Sequence, residues 1–134
     1  MKTKSMREAF HTVYRHLMTQ NVKSFDATNT FCQYRGEAGC KCAVGCLISD
    51  EHYVNHIENH RVNSPAVLKA IHASGYSTSK KAVELYTQLQ RIHDTWNPPE
   101  WQTQLNLLTK EFSVTIPREY SKNALKGTKV HVGN

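Results

Sequence analysis

Apolar side chains recur every three or four positions along three long stretches of this chain. That period places them on one face of an α-helix. In 6–20 the row is Met6, Phe10, Val13, Tyr14 and Leu17. In 80–96 it is Ala82, Leu85, Tyr86, Leu89, Ile92 and Trp96, and in 98–112 it is Trp101, Leu105, Leu108 and Phe112. Three apolar rows need surfaces to cover them, so the helices must share a core. With 134 residues the chain is long enough to bury one core and short for two domains.

Start and stop signals bound these helices. Ser5 with Glu8 makes a capping box ahead of the first, and Ser79 caps the second stretch at its start. Ser64-Pro65 opens a further helix that stops near Ser74, before Gly75. Asn97-Pro98-Pro99 breaks the 80–96 helix and starts the next, making the two antiparallel neighbours. Ser49, followed by Asp50 and Glu51, predicts one more helix over 50–60 with Tyr53, Val54 and Ile57 on its buried face.

The region between the first two helices reads differently. Residues 30–34 are β-branched and aromatic, Gly36-Glu37-Ala38-Gly39 is turn-like, and 40–44 can return as a second strand. The expected fold is therefore α+β: a mainly helical single domain over 1–112, with about five helices and a small two-stranded β-hairpin. From Ser113 the periodicity fades, which predicts an extended basic tail over 113–134 with Val114 to Ile116 pinned to the core.

The formal net charge is +6. That favours acidic partners such as nucleotides, nucleic acid or an acidic protein face. No stretch approaches the ~20 apolar residues of a membrane span, so no membrane association is expected. The polar amino terminus has no apolar signal segment. Four cysteines, Cys32, Cys40, Cys42 and Cys46, fall within one short segment. As thiols rather than disulfides they point to a reducing cytoplasm.

The segments Cys32-Gln33-Tyr34-Arg35-Gly36 and Lys41-Cys42-Ala43-Val44-Gly45-Cys46-Leu47-Ile48, followed by Asp50-Glu51-His52-Tyr53, carry a resemblance. So do Leu89-Gln90, Ile92-His93-Asp94 and Trp101. Together they resemble a group of small bacteriophage proteins of unassigned function, in which a C-x-Y-R-G turn and a K-C-A-[VI]-G segment precede a helix. The likeness runs to about Phe112 and leaves out Cys40. It implies a phage accessory product in a bacterial host cytoplasm, and it brings no catalytic residues.

Each chemical motif has a structural alternative. The cysteines are spaced C-x7-C-x-C-x3-C, which lacks the paired knuckles of structural zinc sites. Cys32 and Cys42 serve equally as small buried hydrophobes. His52, His56 and His60 share one face if 50–60 is helical, and two of them could join a thiolate on a metal. Cys32, Cys42, Cys46, His52 and His56 are thus the metal candidates. The tip formed by Tyr34, Arg35, Gly36, Gly39 and Lys41 could hold a phosphate with turn amides and a guanidinium. Its alternative is an Arg35 tied to a backbone carbonyl or a helix end. His93-Asp94 could serve acid–base chemistry, but no nucleophile is visibly partnered with it. Arg118, Lys122, Lys126 and Lys129 could contact a nucleic-acid backbone without reading sequence.

With no complete catalytic set, the expectation is a host-takeover or anti-defence protein, not an enzyme, that needs no cofactor. It would act by binding a host bacterial protein or a phosphorylated nucleotide signal, alone or as a homo-oligomer. The alternatives are a nucleic-acid-binding protein and a zinc-stabilised module or metal-dependent enzyme.

Overall fold

A computed structural model describes residues 3–28 and 31–121. Four α-helices carry the fold: α1 (Met6–Gln20), α2 (Pro65–Ala73), α3 (Lys80–Thr95) and α4 (Pro98–Phe112). A fifth helical segment begins at 118 and runs to the last described residue. The mainly helical expectation holds. Ser5 accepts the Glu8 N–H at 3.1 Å and Glu8 accepts the Ser5 N–H at 3.4 Å, so the capping box closes. Ser64 and Ser79 cap α2 and α3 by accepting the Val67 and Ala82 N–H groups.

The apolar rows meet as their spacing requires, except that Trp96, counted in the 80–96 row, is exposed at the end of α3. Phe10, Val13, Tyr14 and Leu17 of α1 are buried against Leu85, Tyr86 and Leu89 of α3 and Trp101 and Leu105 of α4 in one core. Trp101 is fully buried, and its Nε1 donates to the Trp96 carbonyl at 2.9 Å, fixing the α3–α4 junction. The segment 42–48 closes the core beside α1, with Cys42, Ala43, Val44, Leu47 and Ile48 all buried. The first described residues beyond α4 are also packed. Val114 and Pro117 are buried, Arg15 Nε pairs with Glu119 at 2.7 Å, and Tyr120 lies 5.2 Å from the Tyr14 ring. The rest of the predicted tail, 122–134, lies outside the described residues.

The two-stranded hairpin is not formed, which corrects the α+β expectation. Among the described residues there are no strands, only isolated pairings such as Phe25 with Cys32 and Arg35 with Lys41; Thr30, the first residue of the predicted strand, lies outside them. The cause is where the backbone donors go. The Arg35–Lys41 pairing is made by Gly36 N–H to the Cys40 carbonyl at 2.9 Å and Cys42 N–H to the Tyr34 carbonyl at 3.3 Å. The next rung would need the Tyr34 N–H, but Glu58 Oε1 accepts it at 2.9 Å while Oε2 accepts the Arg35 N–H at 3.0 Å. On the returning side the chain turns at once into a 3-10 turn, Gly45–Leu47. A Cβ on Gly45 would stand 2.0 Å from the Tyr34 carbonyl oxygen, so only glycine permits this approach.

The predicted 50–60 helix is likewise replaced by two 3-10 turns, Asp50–His52 and Asn55–Ile57, separated by extended Tyr53 and Val54. Glu58 explains the break. To reach back to 34 and 35, and to accept the Tyr53 hydroxyl at 2.7 Å, it must leave any helix begun at Ser49.

Candidate ligand cleft

The predicted phosphate tip is assembled as one loop, but its side chains hold the loop together. Arg35 Nη1 bonds Asp50 Oδ1 at 2.7 Å, Nη2 donates to the Ile48 carbonyl, and the guanidinium lies 4.7 Å over the Tyr53 ring. Lys41 Nζ is 3.7 Å from the same Asp50 carboxylate, which the Arg35 hydrogen bond and then the Lys41 charge hold below its ordinary pKa. Tyr34 is buried and its hydroxyl donates to the His60 carbonyl at 2.6 Å. Gly36 is demanded by packing, since a Cβ there would lie 2.5 Å from Ser24 Oγ. Gly39 takes a φ of 76° with open space around it. The structural alternative describes Arg35: it ties a carbonyl and a carboxylate.

The five metal candidates are scattered. His52 Nδ1 meets Ser49 Oγ at 2.7 Å, His56 is exposed, and the broken 50–60 segment removes their common face. Cys42 is fully buried, its sulfur accepts the Gly45 N–H at 3.3 Å, and burial pushes its thiol up. Cys46 donates to the Ala43 carbonyl at 3.1 Å, and burial pushes its thiol to about 12. Cys32 instead joins His93 and Asp94, with one donor atom of each within 4.8 Å of the others.

Sequence reasoning missed this grouping because it joins a loop to the end of α3. His93 is fully buried and stacks on Trp101, ring centres 5.4 Å apart. Its Nε2 accepts the Ser24 N–H at 3.0 Å. The ring proton therefore sits on Nδ1, which donates to Asp94 Oδ1 at 2.8 Å. Asp94 Oδ1 also accepts from Gln90 Nε2 at 2.8 Å, and Gln90 Oε1 accepts the Val44 N–H at 3.0 Å. The chain of bonds runs from the 42–48 segment through α3 to the 24–25 segment. Both imidazole nitrogens are engaged, so no lone pair is left for a metal or for a substrate proton. Burial, and then the Asp94 charge, push the Cys32 thiol to about 11, away from the thiolate a nucleophile needs. These bonds strap the 42–48 segment, α3 and Ser24 together.

Beside the strap opens a cleft of about 780 Å³ between 32–34, the 58–63 loop and α3. Its polar groups divide into two sets. Glu58 is engaged inward by three hydrogen bonds and Asp94 by the strap. Arg61 of the loop and Arg91 of α3, and the side chains of Gln33, Asn59 and Asn63, have no hydrogen bond or ion pair among the described residues. None of these five stood out in the sequence except Gln33, as part of the C-x-Y-R-G turn. Of the nucleic-acid candidates, Arg118 is exposed, and Lys122, Lys126 and Lys129 lie outside the described residues. Among the described residues no helix is long and apolar enough to cross a membrane. Comparison with protein-family models, curated proteins and solved structures finds no match.

Proposed function

We propose that this chain is a bacteriophage accessory protein that acts in the host cytoplasm by binding a host component, without catalysis, and that it binds through the 780 Å³ cleft. One observation carries the reading. The grouping richest in reactive side chains, Cys32–His93–Asp94, is closed on itself by hydrogen bonds, while the guanidiniums and amides of the adjoining cleft are unengaged. Donors left without internal partners are free to meet a ligand, and a locked imidazole is what a general base cannot be. The phage setting rests on the C-x-Y-R-G and K-C-A-V-G resemblance, and the cytoplasmic one on that resemblance and the free cysteines.

The test compares two variants in a bacterial host that expresses the chain and is challenged with phage. Cys32→Ser keeps a donor for Asp94 and is expected to leave the change in plating efficiency intact. Arg61→Glu with Arg91→Glu is expected to abolish it while the melting temperature holds. Rapid alkylation of Cys32 in the folded protein, together with loss of effect in Cys32→Ser, would replace binding with thiol chemistry.

A further inference from the structure

The cleft has more character than a general docking site. Arg61 belongs to the 58–63 loop and Arg91 to α3, so two separate segments each bring a cation to the cleft. A guanidinium presents its donors in a planar fork suited to phosphate oxygens, and two forks lining one cleft can hold one phosphate group or two adjacent ones. The amides of Gln33, Asn59 and Asn63 offer donors and acceptors together, the pattern that reads the edge of a nucleobase. Asp94, one helical turn beyond Arg91, has a side chain 42% exposed at the strap end of the cleft, where a carboxylate suits ribose hydroxyls. Phosphate donors, base-edge amides and a sugar acceptor thus line a single cavity. Its volume lies in the range of small-molecule sites, roughly 300–1,000 Å³. A polynucleotide would instead need a track of cations along the surface.

We infer that the cleft is a nucleoside-phosphate site. Arg61 and Arg91 seat the phosphate, and Gln33, Asn59 and Asn63 read the base. The inference rests on the cleft being the place where this protein binds. It moves the phosphate from the 35–41 tip, whose cations are tied to Asp50, to a part of the chain where the cations are unpaired among the described residues.

Isothermal titration of the full chain with a purine nucleoside 5′-diphosphate, the same nucleoside unphosphorylated, and inorganic pyrophosphate tests it. The diphosphate should bind about 100-fold more tightly than the nucleoside, about tenfold per guanidinium. Pyrophosphate, which leaves the amides unused, should bind at least about tenfold more weakly than the diphosphate. Arg91→Gln should weaken the diphosphate about tenfold without moving the melting temperature, because Arg91 is exposed and unpaired. Equal binding of nucleoside and diphosphate overturns the phosphate seat. Pyrophosphate equal to the diphosphate leaves a bare anion site and overturns the nucleoside. A single-stranded oligonucleotide binding more tightly than any of these, with a steep salt dependence, overturns it in favour of nucleic acid. If none of the three ligands binds while Arg61→Glu with Arg91→Glu still abolishes the effect on phage plating, the nucleotide falls and binding at the cleft stands. If that double variant keeps its effect, the cleft reading itself falls.

Discussion

Replacing Glu58 by glutamine should destabilise this fold more than any other change of a single oxygen for an amide. Glu58 Oε1 accepts the Tyr34 N–H at 2.9 Å, and Oε2 accepts the Arg35 N–H at 3.0 Å and the Tyr53 hydroxyl at 2.7 Å. Glutamine keeps the shape but has one acceptor oxygen. The least costly orientation keeps that oxygen on Arg35 and Tyr53 and turns the NH2 toward Tyr34, so the backbone N–H of a buried residue loses its acceptor. A stranded donor of this kind costs about 1–3 kcal/mol. The two retained bonds lose their charge assistance, at about 0.5–1 kcal/mol each. The sum is about 2–5 kcal/mol. Urea denaturation measures it: at a slope of about 2 kcal/mol/M, the midpoint should fall by about 1–2.5 M. Glu51→Gln is the matched control, because that exposed carboxylate comes no nearer than 4.0 Å to His52 Nδ1. A midpoint for Glu58→Gln within about 0.25 M of the parent, or an equal fall in Glu51→Gln, would refute the claim that one carboxylate displaces the hairpin ladder.

Gly45→Ala places a methyl 2.0 Å from the Tyr34 carbonyl oxygen and should cost about 3 kcal/mol, whereas Gly39→Ala, with φ 76° and open space, should cost about 1–2 kcal/mol; both are read from chemical denaturation. The Arg15–Glu119 pair should make the 113–121 segment acid-sensitive. The Arg15 hydrogen bond, then the Glu119 backbone N–H, depress the Glu119 carboxyl from 4.5 to about 2. Because the folded value lies below the unfolded one, the pair's contribution is complete above pH 4.5 and is lost as pH falls through about 2. Pepsin cleavage within 113–121, normalised to an unstructured peptide, should therefore speed up across that window, and Arg15→Gln should flatten the dependence.

What was legible in the sequence is what is local. α1, α3 and α4 are fixed by rows of side chains within one helix and by caps three residues away, so a window of fifteen residues contains their causes. The 22–63 region has causes that lie far off in the chain. Glu58 acts on Tyr34 across 24 positions, Gln90 on Val44 across 46 and His93 on Ser24 across 69. None of these pairs leaves a periodic trace. The pattern of 30–44 is that of a hairpin, and one pairing forms, but Glu58 takes the Tyr34 N–H that the next rung would use. For the same reason the eye is drawn to cations that the fold already uses. Arg35 and Lys41 stand beside glycines and look available, but both converge on Asp50. Arg61 and Arg91 sit in unremarkable polar sequence and have no ion pair among the described residues. Availability for a ligand is a property of what a side chain lacks after folding. It is set by the difference between a residue's hydrogen-bonding capacity and the internal partners the fold supplies, and only the second of these needs a structure. A search of a sequence for binding residues therefore favours motifs such as Arg35-Gly36, which evolve for turns as readily as for ligands, over lone arginines whose role appears only when their neighbours are known.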